Sequence, residues 1–234
     1  MRLFAIGDLH LSGGNEKPMD VFGPQWDRHF SHISEHWRGK IGEDDLVLIP
    51  GDISWAMHLE EAREDLEEIA ALPGQIIFCK GNHDYWWNSI SKVRSILPPK
   101  IRALQFSAAD AGPFVVCGTR GWIFPTEEQP LDEANQKIFN REVQRLRIAL
   151  EAAHHLAENR PIVAMMHYPP LLAGQKDTAF TGILEEYRVH TVVYGHLHGQ
   201  GIQSGFTGEY HGIRYYLVSC DSIGFDPLEI TVDG

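Results

Sequence analysis

The sequence is short of cysteine and of positive charge, and it has no long apolar run. Cys79, Cys117 and Cys220 are odd in number and far apart, which excludes a disulfide framework and a thiolate zinc site and suits buried reduced thiols. Twenty Lys and Arg stand against thirty-two Asp and Glu, a formal charge of -12 that disfavours a long nucleic-acid track. No apolar stretch approaches the ~20 residues of a membrane span. The start, Arg2-Leu3-Phe4-Ala5-Ile6, lacks the charged, apolar and small-residue succession of a secretory signal, so the expectation is a cytoplasmic protein with no membrane partner. Internal repeats, linkers and low-complexity tracts are also missing. With 234 residues and 43% hydrophobic composition, the chain reads as one domain over residues 1–234.

What is present is an alternation of short apolar runs and helical patterns. Strands are expected at Leu3–Ile6, Leu46–Ile49, Gln75–Cys79, Phe114–Cys117, Ile162–Met166, Thr191–Tyr194 and Arg214–Val218, each ended by Gly, Pro, Asp or His or running into small polar residues. Helices are expected near Pro24–Trp37, Leu59–Ala71, Trp86–Ile96 and Glu133–Ala157, the last from Ile138, Val143, Leu146 and Leu150 at helical spacing. This order predicts a layered α/β domain. From Val189 onward no comparable helix follows, so the sheet should end in antiparallel pairing and be mixed. Ser12–Gly23 and Gly118–Leu131, rich in Gly, Pro and charge, are long connections expected to border a site.

Chemistry-bearing side chains follow the expected strands one after another. The first run leads into Gly7-Asp8-Leu9-His10, the second into Gly51-Asp52 and the third into Gly81-Asn82-His83-Asp84; later runs lead into His167 and Gly195-His196-Leu197-His198. Carboxyl ends of strands in layered α/β folds share one edge, so these groups can converge from remote parts of the chain. Residues two apart on extended backbone share a face, which aligns Asp8 with His10 and His196 with His198. Carboxylate, imidazole and amide oxygen without thiolate suit Mn, Fe or Zn, and Mg less well. Each short motif alone is weak; the ordered set is strong. His29, His32 and His36 imitate a ligand stripe, but they flank the better core stripe of Trp26, Phe30, Ile33 and Trp37 and are read as its polar shoulder.

With those blocks in view, the sequence resembles the calcineurin-like metallophosphoesterases, over a span from residue 8 to residue 198. The resemblance implies two mixed β-sheets packed face to face and flanked by helices. It also implies two metal ions, one on Asp8, His10, Asp52 and His198, the other on Asp52, Asn82, His167 and His196, with Asp52 bridging. His83 would meet the phosphate or leaving group without binding metal, and Asp84 would orient its imidazole. The expected function is hydrolysis of phosphomonoester or phosphodiester bonds in a small phosphorylated substrate by metal-activated water. Gly51-Asp52 continues as Ile53-Ser54-Trp55, and Asp84 rather than Glu follows His83, which departs from the protein-phosphatase branch and points to a bacterial phosphohydrolase branch. Two alternatives differ in kind: a binding or scaffold protein on the same fold, opposed by the complete donor set, and a nuclease on single-stranded ends, opposed by the acidic charge. Trp55 and Tyr85 are candidates for the pocket wall, and Arg120 either holds a phosphate oxygen or forms a surface ion pair.

Overall fold

The computed structural model describes residues 1–12, 19, 22–126 and 129–232. Residues 13–18, 20–21 and 127–128, inside the two long connections singled out above, lie outside the described residues. The first sheet contains β1 (Leu3–Ala5), β2 (Leu46–Ile49), β3 (Gln75–Cys79), β4 (Ile101–Leu104) and β11 (Leu228–Ile230), in the order β11-β1-β2-β3-β4. The second contains β5 (Ser107–Asp110), β6 (Val115–Thr119), β7 (Ile162–Met166), β8 (Thr191–Tyr194), β9 (Gly208–Tyr210) and β10 (Ile213–Leu217), in the order β5-β6-β7-β8-β10-β9. Interior pairs are parallel, whereas β11, β5 and β9 lie antiparallel at sheet edges. The fold is therefore the expected α/β arrangement of two mixed sheets.

Side-chain alternation builds the layers. In β3, Ile77 and Cys79 join an inter-sheet core with Leu3, Leu48, Val116, Val163, Met165 and Val193, while Ile76 and Phe78 face the other way. In β7, Ile162, Ala164 and Met166 turn outward as Val163 and Met165 turn inward. Successive strand side chains point to opposite faces, so strands covered on both sides must be apolar throughout, as these are. The outer face of the first sheet is covered by α1 (His29–Lys40), α2 (Leu59–Ala70) and α3 (Ile90–Ile96), and that of the second by α4 (Glu133–Ala157) and α5 (Ala179–Glu186). Each fully buried Leu, Ile or Phe in these layers stabilises the fold by about 1.5–3 kcal/mol relative to exposure. Cys79, Cys117 and Cys220 are free and buried.

Helix boundaries follow local chemistry. The Glu61 carboxylate accepts the His58 and Met57 N–H groups at the start of α2, and Asp132 accepts from Asn135 N–H at the start of α4. Both satisfy donors that the first helical turn leaves unpaired. Two expected helices start later than the periodicity indicates. Pro24–Trp26 forms a separate 3₁₀ turn before α1, and Trp86 lies in a turn, with the helix beginning at Ile90 behind the Ser89 cap. Trp26 in the 3₁₀ turn and Ile33 and Trp37 on α1 are nonetheless buried, and His29 and His36 hydrogen-bond the carbonyls of Leu9 and Phe225. Among the described residues no helix is long and apolar enough to cross a membrane.

Candidate metal centre

Parallel strands bring their carboxyl ends to one edge, and Asp8, Asp52, Asn82, His167 and His196 all sit just beyond such ends. The two sheets are stitched together there. Gly7 N–H donates to Val218 O at 2.7 Å, Cys220 N–H to Gly7 O at 3.1 Å, and Asp8 N–H to Gly51 O at 3.0 Å. The turns are tight enough that side chains would not fit at the glycines: a Cβ on Gly81 would lie 2.0 Å from Asp52 Oδ1, and one on Gly195 2.2 Å from Asp8 Oδ2. Four of the donor residues themselves occupy left-handed backbone, with φ of 59° at Asp8, 45° at His10, 50° at Asp52 and 75° at His196. That region is uncommon for residues other than Gly, Asn and Asp, and local strain of this kind concentrates at functional sites.

The seven residues expected to hold metal come together. His198 Nε2 lies 3.3 Å from Asp8 Oδ1 and 3.4 Å from His10 Nε2, and His10 Nε2 lies 3.7 Å from Asp52 Oδ2. On the other side, His167 Nε2 lies 2.6 Å from Asn82 Oδ1, 3.5 Å from Asp52 Oδ2 and 3.2 Å from His196 Nδ1. Asp52 thus touches both groups. Asp8 does so as well, since its carboxylate also lies 3.9 Å from His167 Nδ1 and accepts the His196 N–H.

Proton placement shows what the cluster can hold. His167 donates its Nδ1 proton to Pro50 O at 2.9 Å, and His198 donates its own to Asp221 Oδ1 at 2.8 Å. In the neutral His167 imidazole the Nε2 lone pair then faces inward, and with the Asn82 amide oxygen 2.6 Å away acceptor meets acceptor. Burial drives the imidazoles neutral: His167 is pushed down to about 3 and His196 to about 4, with Asp8 opposing in both, and His10 falls well below its usual value. Asp52 rises well above the carboxylate range through burial and the charges of Asp8 and Asp84. Burial also opposes charge on His198, but Asp8 and Asp221 outweigh it and raise that imidazole to about 10, so a proton there neutralises the Asp8 carboxylate. Buried acceptors that meet without enough protons are the environment a cation stabilises. His10 presents Nε2 to the cluster, while its Nδ1 is buried with no hydrogen-bond partner. Asp8, His10 and His198, and separately Asp8, Asp52 and His167, place one ligand atom each within 4.8 Å of the others. The donor set fits hard or borderline cations.

The structure corrects one expected role. Asp84 is fully buried, and its carboxylate accepts N–H from Asp52 at 3.0 Å, Ile53 at 2.9 Å, Ser54 at 3.2 Å and Gly81 at 2.7 Å, with the Trp86 indole at 3.1 Å. Five donors fill the roughly four lone-pair sites of a carboxylate, so Asp84 braces the Asp52 and Asn82 turns rather than orienting the His83 imidazole. His83 stands at the mouth of the cluster, its Nε2 4.0 Å from Asp52 Oδ2 and its Nδ1 3.2 Å from the Tyr85 hydroxyl. The Trp55 ring packs on His10 at 4.9 Å and on His83 at 4.4 Å. Ser54 Oγ donates to Asp65 and so ties the Asp52 turn to α2.

Asp221 was not anticipated. It holds the His198 imidazole and also accepts the Gly199 N–H at 3.0 Å. Its signal was present, because Ser219-Cys220-Asp221 follows β10 as the other acidic residues follow their strands. Tyr168, whose ring lies 4.1 Å from that of His196, carried no such mark.

A model of the family described as calcineurin-like phosphoesterase matches residues 1–200. No curated protein matches the sequence. Among solved structures, the phosphopantetheinyl hydrolase from Mycobacterium tuberculosis is similar with a TM-score of 0.58 and 16% identity, over 99% of this chain and 96% of that one. A protein of unknown function from Aquifex aeolicus is similar at TM-score 0.51 and 13% identity, over 97% and 95% of the two chains. At these identities the likeness to both structures establishes the fold.

Two expectations follow from the braces. Asp84→Asn replaces an acceptor with a donor against backbone N–H groups and should lower the stability of metal-free protein by about 1–3 kcal/mol in denaturant unfolding; unchanged stability would return Asp84 to a purely catalytic role. Asp221→Ala should weaken metal retention by about 10–100-fold, read by metal titration, as loss of an outer partner does for ligating imidazoles.

Proposed function

The chain belongs to the calcineurin-like phosphoesterase family, and we propose that it hydrolyses phosphate esters of small molecules with two cations held by Asp8, His10, Asp52, Asn82, His167, His196 and His198. The observation that carries this reading is the convergence of those seven donors with the His167 and His198 protons turned outward, onto Pro50 O and Asp221. When bound, such cations polarise phosphate oxygens and generate a nucleophile from water near neutral pH. Manganese, iron and zinc suit these ligands.

The protein's own groups have separate tasks. Asp52, within reach of both halves of the cluster, is the bridging carboxylate in this reading, and Asp8 is a second contact between them. His83 is half-buried at the rim, with one nitrogen toward the cluster and one toward Tyr85, so it can donate a proton to the leaving oxygen. Trp55 limits its swing and excludes water from one side. Beside His196 opens a cleft of about 410 Å³, lined by Phe124, Leu131, Tyr168, Leu172 and Leu197 among others. Its apolar walls suit the organic part of an ester, while the phosphate lies at the donors. The three buried free thiols support a cytoplasmic setting.

Asp52→Asn should lose hydrolysis together with one or both metals, measured by elemental analysis alongside turnover; full activity with two metals bound would sink the assignment. His83→Ala should keep both metals and lower turnover by about 10²–10⁴-fold, most for poor leaving groups. A hydrolysis screen on manganese-loaded protein should compare bis(p-nitrophenyl) phosphate, its monoester, cyclic nucleotides, dinucleotides and a phosphopantetheinylated carrier protein. The last is included because the M. tuberculosis neighbour is a phosphopantetheinyl hydrolase.

A further inference from the structure

A second concentration of charge lies near the ends of β3, β4 and β6, where they meet α4. A cavity of about 210 Å³ there is lined by Lys80, Thr119, Arg120, Arg141, Glu142 and Arg145, with neighbouring apolar residues. In a chain of net charge -12, four cations surround one carboxylate. Glu142 is fully buried, and a single oxygen, Oε1, faces three guanidinium groups: Arg145 Nη1 at 2.7 Å, Arg141 Nε at 3.5 Å and Arg120 Nη2 at 3.6 Å. Its other oxygen accepts from the Thr119 hydroxyl at 3.4 Å. Lys80 Nζ donates to the Trp87 carbonyl at 2.6 Å, a neutral partner. Arg120 Nε is buried with no acceptor.

Fastening α4 to the sheet would need only Glu142 with Thr119, at the end of β6, and Arg120 just beyond it. The arrangement goes further than that. Arg120 lies over the Trp122 ring at 4.6 Å and Arg145 over Phe106 at 5.0 Å, so aromatic faces fix two guanidinium groups before any ligand arrives. Fixed forks with surplus positive charge in a partly enclosed space are suited to a compact oxyanion. The volume also suffices, since one water takes about 30 Å³.

We propose that this cavity is a second anion site that takes a phosphate group, separate from the metal ligands. It is joined to them through backbone. Lys80 precedes Gly81 and Asn82, and the Arg120 carbonyl accepts N–H from His167 at 3.1 Å and Tyr168 at 2.8 Å. Its occupant is either free phosphate or the second phosphate of a substrate; anion binding stands without the hydrolase reading, and the substrate arm rests on it.

Calorimetric titration of the metal-loaded protein with inorganic phosphate at low ionic strength tests it, with Arg120→Gln, Arg141→Gln and Arg147→Gln. Arg147 is on the same helix but pairs with Glu186 and serves as the charge control. Expected is a binding component that Arg120→Gln and Arg141→Gln each weaken about ten- to a hundredfold and Arg147→Gln leaves alone. Isotherms alike in wild type, Arg141→Gln and Arg147→Gln would overturn the proposal. Should Arg120→Gln fail to fold, Arg141→Gln carries the test, because the Arg141 side chain is about half exposed. Competition by adenosine 3′,5′-bisphosphate and adenosine 5′-monophosphate separates the sources. A loss in Arg141→Gln confined to the bisphosphate assigns the site to a substrate's second phosphate, and loss for neither nucleotide assigns it to the free anion.

Discussion

Two buried carboxylates, Asp8 and Asp52, stand within one shell of imidazoles whose protons are too few to neutralise the oxygen and nitrogen lone pairs that meet there. Much of the site follows from that constraint. Asp8, His10, Asp52 and His196 take left-handed backbone where the chain turns beyond its strands into the cluster. Glycine is needed beside them, since the Asp8 and Asp52 carboxylates press where a Cβ at Gly195 or Gly81 would be. Without a cation, burial and the charges of Asp8 and Asp84 push Asp52 toward its neutral form, while Asp8 and Asp221 hold a proton on His198 against burial.

Two other fully buried carboxylates show how differently the same group can be used. Asp84 is saturated by N–H dipoles and carries the turns that bear Asp52 and Asn82. Glu142 is surrounded by guanidinium groups that outnumber it. The first is a closed arrangement whose partners are all supplied by the chain; the second leaves positive charge over. Breaking a closed buried network is costly, whereas an open one has capacity for a further charge.

The interior of the fold was legible because its strands are apolar on both faces: all seven expected runs correspond to β1, β2, β3, β6, β7, β8 and β10. The strands that pattern did not mark, β4, β5, β9 and β11, are the four sheet edges. An edge strand is covered less completely, so sequences such as Ser-Ala-Ala-Asp in β5 or Gly-Glu-Tyr in β9 carry no apolar run to read. Helix α5 is eight residues with a glycine inside and escapes periodicity for want of length. The candidate metal donors were legible because each follows a strand and all but His167 have glycine or a second donor beside them. Asp84 was visible as a residue but not as a brace, because its bonds to the remote backbone of Asp52, Ile53 and Ser54 leave no local pattern. Asp221 lay outside the motif blocks, although it occupies an equivalent place after β10.

The stitching of Gly7 to Val218 and Cys220, with β11 lying against β1, has a consequence for how the protein is made. Asp8 is made before His196, His198 and Asp221, the first of which lies 188 residues further along the chain. The first sheet can gather β1 to β4 meanwhile, but the acidic pocket it presents stays open on one side until the last strands arrive. A site that needs donors from both ends of this span can close around a cation only once the later strands are in place.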